Sequence, residues 1–160
     1  MENRARKVEI VLWSIIMPGA GQWLDGKYFK GAVFILGQFA LNAQANFNAA
    51  IASSLLGDTA NAVQVIDYNW FMFCPCLYFL AAWDAYKEAG EKEKSLSFLP
   101  FVCAGYFGTV GIIYSSTFKP FGVLLGPVWL PMLGAALGGA IGCIIKASIN
   151  KCGRHRRHEC

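Results

Sequence analysis

Apolar positions in this chain come in long runs, and charged residues fall into a few narrow windows between them. The first run, Val8 to Met17, stops at Pro18-Gly19-Ala20-Gly21. As a helix it reaches only ~15 Å, about half the apolar depth of a bilayer. The second, Tyr28 to Leu56, would measure ~43 Å if wholly helical. It is strongly apolar from Gly31 to Leu41 and carries Asn42, Gln44, Asn46 and Asn48 beyond. A third run covers about Trp70 to Tyr86, with Asp67 placed to cap its first turn through its carboxylate. The fourth covers Leu96 to Ser116 and the fifth Val123 to Ile149. None alternates every second residue, as strands of a membrane barrel would. The pattern predicts an all-α fold: a polytopic helical membrane protein with four spans and an N-terminal half-helix, re-entrant or interfacial.

Composition narrows the class further. Apolar residues make up 56% of the 160 and charged ones 15%, against roughly 25% charged in soluble domains. With a mean hydropathy of +0.41, too little polar surface is left to cover a globule in water. Most soluble-enzyme classes are therefore excluded. Aromatic content of 14% with a net charge of only +4 excludes disorder. The length fits a single integral membrane domain over residues 1–160, ending in a basic tail at 150–160.

The lysines and arginines orient the spans, because loops rich in them stay in the cytoplasm. Arg4, Arg6 and Lys7 form one window, and Lys27 with Lys30 a second. Lys87, Lys92 and Lys94 form a third, and Lys146, Lys151, Arg154, Arg156 and Arg157 gather near the C-terminus. Gly57 to Asp67 has no basic residue, and Thr117 to Gly122 only Lys119. If the first run dips in and returns, every window except that of Lys119 lies inside. If it spans, Lys27, Lys30, Lys87, Lys92 and Lys94 all move outside. The first arrangement is expected: plasma membrane, multi-pass, both termini cytoplasmic. A signal peptide is not expected, since Glu9 interrupts the apolar run, Pro18-Gly19 ends it, and no Ala-x-Ala site follows.

The stretch Pro18-Gly19-Ala20-Gly21-Gln22-Trp23-Leu24-Asp25-Gly26-Lys27-Tyr28-Phe29-Lys30-Gly31 is the most distinctive. A proline and closely spaced glycines break a helix into a corner. Trp23, Lys27, Tyr28 and Lys30 are residue types that sit at headgroup level. The pattern Pro-Gly-x-Gly-Gln, then Gly26-x4-Gly31, with a later Trp83-Asp84-Ala85-Tyr86, resembles the two-transmembrane (TM-two) domain family and its small bacterial relatives. The resemblance covers about Ile10 to Ala89. It implies a structural corner made of Pro18, Gly19, Gly21, Gln22, Gly26 and Gly31, with Asp84 closing the following span. The chain departs from that family in Leu24, where an aromatic is usual, in the long interval to Asp84, and in two further spans. The resemblance implies an architecture and no mechanism.

Other residues carry candidate chemistry. Cys74-Pro75-Cys76 lies within the third run, where paired thiolates at a proline kink could hold a soft metal. Small buried cysteines that pack are the commoner use, and no metal or other cofactor is expected. Cys152, His155, His158 and Cys160 have zinc-ligand types, but Arg154, Arg156 and Arg157 beside them favour a tail drawn to anionic headgroups. Cytoplasmic cysteines argue against disulfides. Gly134, Gly138 and Gly142 form a small-residue row for helix packing, with Gly122 and Gly126 in register upstream and Ala135, Gly139 and Cys143 alongside. Such a row lets a helix of the same chain, or of a second copy in a homo-oligomer, approach closely. Gln38, Asn42 and Asn46 share one helical face and should point into the bundle. Asp84 is expected to hydrogen-bond to the corner.

No His-Glu-x-x-His, Ser-x-x-Lys or phosphate-binding loop is present. Basic residues mark membrane borders, so no nucleic-acid partner is expected. The sequence points to a structural or accessory membrane protein without enzymatic activity. The alternative is a small channel or transporter, homo-oligomeric through the Gly-x3-Gly-x3-Gly helix. Its partners are the lipid bilayer and anionic headgroups.

Overall fold

A computed structural model describes residues 2–88 and 96–155, with the side chains at 2–5, 7, 121 and 152–155 left aside. The described residues form helices and turns without a strand. In order the helices are α1 (Glu2–Ile16), α2 (Ala20–Leu24), α3 (Tyr28–Ala45), α4 (Phe47–Leu55), α5 (Thr59–Val65), α6 (Tyr68–Phe71), α7 (Phe73–Glu88), α8 (Leu99–Tyr114) and α9 (Gly126–His155). A single 3-10 turn, Pro120–Gly122, precedes α9. The all-α class expected from the apolar runs is what the chain adopts.

Several boundaries differ from the runs, and α5 forms within the Gly57 to Asp67 window between them. The first helix begins upstream of Val8, at Glu2. The second run is not one helix but breaks at Asn46, whose φ of 52° is left-handed. Asparagine tolerates that conformation better than most residues because its short polar side chain can bond locally. Its own N–H still bonds back to the Asn42 carbonyl, closing α3. The break therefore removes Asn46 from the face shared by Gln38 and Asn42. The third change is at Cys74-Pro75-Cys76. One turn residue, Met72, separates α6 from α7 ahead of these residues, and Pro75 falls in the first turn of α7, where its missing N–H has no helical partner to lose.

Caps explain the short helices. Asp58 accepts from the Asn61 N–H at 3.0 Å and starts α5. Asp67 accepts from the Asn69 N–H at 2.9 Å and starts α6, the capping expected of it. The Asp67 N–H donates to the Ala45 carbonyl at 3.0 Å, so the returning chain is pinned to the end of α3. An apolar core sits at this end of the bundle, built from Ala45, Ala50, Ala62, Ile66, Phe71, Cys74 and Ile112. The Ser115 hydroxyl donates to the Ile112 carbonyl at 2.7 Å and lies 3.1 Å from the Tyr68 hydroxyl.

Interior and exterior are inverted relative to a water-soluble bundle. Ser14, Gln22, Ser54, Ala81, Ala82, Ala85 and Ala104 are buried, while Leu36, Phe39, Leu80, Tyr106, Leu133 and Ile144 are exposed. Among the described residues, one helix, Gly126–Lys151 with a hydropathy of 1.9, is long and apolar enough to cross a membrane by itself. Thr59–Val65 and Tyr68–Glu88 would make a second if taken together, but they meet at 90°. The shorter α8 is also apolar.

Candidate functional site

The corner is built where α1, α2, α3 and α7 meet. Gly19, with φ 101°, ends the turn after Pro18, and a Cβ there would strike the Gly31 carbonyl and lie 2.8 Å from Ile35 Cγ1. A Cβ on Gly21 would strike Ser14 Oγ and come within 2.6 Å of the Ile10 carbonyl. Gly31 lies against the Trp23 indole, whose Nε1–H donates to the Tyr28 carbonyl at 3.1 Å. Bare backbone at these positions brings the helices to contact distance. Gly26 is different: it has φ 78° and open space around it, so it supplies the turn and no packing.

Gln22 is fully buried. Its Nε2–H2 group donates to the Ala81 carbonyl at 2.9 Å and to Asp84 Oδ2 at 3.2 Å. Lys30 Nζ donates to Asp84 Oδ1 at 2.9 Å and to Glu88 Oε1 at 2.7 Å, and Lys27 Nζ reaches the same Glu88 oxygen at 2.7 Å. Asp25 lies 3.9 Å from both Lys27 and Arg6. The Glu88 and Asp84 carboxylates hold the Lys30 ammonium, which precedes the apolar run starting at Gly31, above the ordinary lysine pKa. Of the residues singled out at the corner, Gly19 thus meets Gly31 and Gln22 meets Asp84, while Gly21 packs on Ser14, Ile10 and Ala85. Lys30, Glu88, Ser14 and Trp23 join them; the sequence signal for Lys30 and Glu88 was a charge at each border of an apolar run.

The hairpin of α1 and α2 descends alongside α7 and returns. Arg6 stands near Asp25, Gly21 near Ala85, and the Tyr78 hydroxyl donates to the Ile15 carbonyl with Ile16 O 3.3 Å away. Tyr78 is ten residues before Glu88 on α7, so the turn at Pro18 lies ~15 Å along the bundle from the charged end.

The second packing feature joins α8 and α9. A Cβ on Gly134 would lie 2.5 Å from the Phe107 carbonyl, one on Gly138 would strike the Cys103 carbonyl, and one on Gly142 would lie 2.6 Å from Pro100 Cα. The row is filled by α8 of the same chain, so an oligomer would need another face. A complementary row on α8, Ala104, Gly108 and Gly111, was present in the sequence at i, i+4 and i+7. Gly111 backs directly onto Pro131, whose Cα would lie 2.8 Å from a Cβ. Gly122 and Gly126 do not extend the row: both have positive φ, 82° and 72°, and form the turns leading into α9. Of the parallel positions, Ala135 lies near Gly108 and Gly139 near Ala104, while Cys143 is exposed.

Cys74 is buried and Cys76 exposed, on opposite sides of α7. No cluster of three metal-ligating side chains occurs among the described residues. Of the Cys152, His155, His158 and Cys160 set, the first two belong to α9 with their side chains left aside and the last two lie outside the described residues, as does most of the Lys87 to Lys94 window.

Two adjacent cavities open beside Gln38. One of about 220 Å³ lies between α3, α7, α8 and α9, and another of about 320 Å³ between the Pro18 turn, α3, α4 and α7. Gln38, Phe47 and Tyr78 line both. Asn42 donates through Nδ2 to Asn48 Oδ1 at 3.2 Å. Gln38 Oε1 and Asn42 Oδ1 are buried without a protein donor.

Fold and site together define an all-helical protein with many small and polar residues in its interior, organised around a glycine-rich corner. No family model, curated protein or solved structure matches the chain.

Proposed function

We propose that this chain is an integral membrane protein of structural or accessory type, crossing the bilayer four times with both termini in the cytoplasm. The spans are α3 from Gly31, α6 with α7, α8, and α9; α1 and α2 form a re-entrant hairpin on the cytoplasmic side. The observation that carries this reading is the inverted burial. Many large aliphatic and aromatic side chains cover the outside, while Ala, Gly, Ser and Gln take many of the inside positions beside a few large ones such as Ile10, Ile66, Phe71 and Ile112, an arrangement expected where lipid is the solvent and close backbone contact holds helices together. In water so much contiguous apolar surface would drive association. Charge supports the same orientation: Arg6, Lys27, Lys30, Lys87, Lys146 and Lys151 are at the corner end, and Lys119 is at the other. The corner likeness to the two-transmembrane domain family, carried by Pro18 to Gln22, Gly26 to Gly31 and Asp84, belongs to this proposal.

An accessory role is favoured because the charged groups of the corner pair with one another. Gln22, Lys27 and Lys30 answer the backbone of α7 and the carboxylates of Asp84 and Glu88. The cavities beside Gln38 favour one second reading, a small channel or transporter. Membranes washed with alkaline carbonate should retain the chain, and proteoliposomes containing it should pass glycerol no faster than empty ones. Release by carbonate would overturn the membrane reading; saturable glycerol flux would replace the accessory role with transport.

A further inference from the structure

The paired cavities at mid-bundle have a definite chemistry. Their walls are apolar apart from a few groups, and none of their lining side chains among the described residues carries a formal charge. An ion placed there would be stripped of water without a counter-charge, at a cost of many kcal/mol. The site therefore selects against ions. It also selects for donors. Gln38 Oε1 and Asn42 Oδ1 are buried with no protein N–H or O–H directed at them. The Asn42 amide donates through Nδ2 to Asn48 Oδ1, which leaves Asn42 Oδ1 as the end of that amide without a partner. Tyr78, at the shared wall, has its own hydroxyl proton committed to the Ile15 carbonyl, so it too is left as an acceptor. Three acceptors thus surround an uncharged crevice, of which the larger part, about 320 Å³, is at the lower end of small-molecule sites.

We propose that the crevice between the Pro18 turn, α3, α4 and α7 binds a neutral, apolar molecule bearing a hydroxyl group, drawn from the lipid phase. The hydroxyl donates to Gln38 Oε1 or Asn42 Oδ1, and the apolar body lies along Phe47 and toward Pro75. The Pro18 turn, tethered through Tyr78, forms one wall, so the re-entrant hairpin would serve to enclose the ligand. Entry from lipid rests on the membrane reading above.

The test uses the full chain in phosphatidylcholine nanodiscs with two photoreactive probes, a diazirine-bearing octanol and the matching octane without the hydroxyl. Adducts are mapped by mass spectrometry. The octanol probe should label Tyr78 and Phe47 about tenfold more than the octane probe, a discrimination equal to one good hydrogen bond. Excess unlabelled octanol should compete this signal away. Gln38→Leu or Asn42→Leu should reduce it about tenfold, whereas Gln44→Leu, which faces outward, should not. Equal labelling of Tyr78 by both probes, or no competition on the unaltered protein, would overturn the proposal. Competition needs no variant, so it decides even if Gln38→Leu fails to fold. Labelling of Leu36 and Leu133 by the octane probe tests the membrane reading separately: its absence overturns that reading, and Tyr78 still decides the site.

Discussion

Gln22 shows how much one side chain can organise here. Its carboxamide joins the Ala81 carbonyl, which lies in the body of α7, to the Asp84 carboxylate from a position with no exposure. Replacing it with leucine leaves the carboxylate without that donor in a part-buried site, costing about 1–3 kcal/mol. Lys30 makes shorter contacts but is half exposed, so Lys30→Met should cost under about 1 kcal/mol. Thermal melting in detergent should rank Gln22→Leu well below Lys30→Met. The reverse ranking would mean that the charged rim, not the buried amide, holds the corner. Gly21 makes a second residue-scale case. A valine there meets the Ile10 carbonyl, which cannot rotate away, and overpacking of this kind costs about 1–3 kcal/mol. Gly57 is a poor comparison because its φ of 85° penalises any side chain. Ala43, exposed on α3, is the better one: Gly21→Val should lower the melting temperature clearly and Ala43→Val hardly at all.

At the scale of elements, the α8 and α9 pair sets the sharpest expectation. Gly138→Leu must displace the Cys103 backbone and the Phe107 Cβ, so it should destabilise the monomer by more than about 3 kcal/mol without changing the mass of the detergent complex. Unchanged stability with loss of a dimer would place a second copy on that row instead. The row on α9 was legible because four residues advance ~400° in a helix, almost a whole turn. The identity of its partner was not, since spacing defines a face and says nothing of what covers it. Asp67 was legible as a cap for the same local reason: capping needs only a carboxylate next to the first turn. The break at Asn46 escaped because an asparagine within an apolar stretch is read equally well as a polar position on a helix face. Gly122 and Gly126 misled for a related reason. A glycine in register with a packing row and a glycine needed for positive φ are the same letter.

For the molecule as a whole, the apolar runs and charge windows carried the helical class, but not the division of the described residues into nine helices or α5 within the Gly57 to Asp67 window. A hydrogen bond between Asp84 and the corner was expected from the motif; that its donor is Gln22, sixty-two residues away, and that a crevice opens beside Gln38 were not, since both exist only once α2, α3 and α7 are packed. The central claim is that these helices cross a bilayer four times with the corner on the cytoplasmic side. The most direct test places single cysteines in a cysteine-free background and exposes intact cells to an impermeant maleimide. Leu56→Cys and Phe118→Cys, both exposed at the end opposite the corner, should label in intact cells. Lys27→Cys and Lys151→Cys should label only after permeabilisation. If Lys27→Cys and Leu56→Cys label alike in intact cells, α3 does not cross the membrane and the account fails.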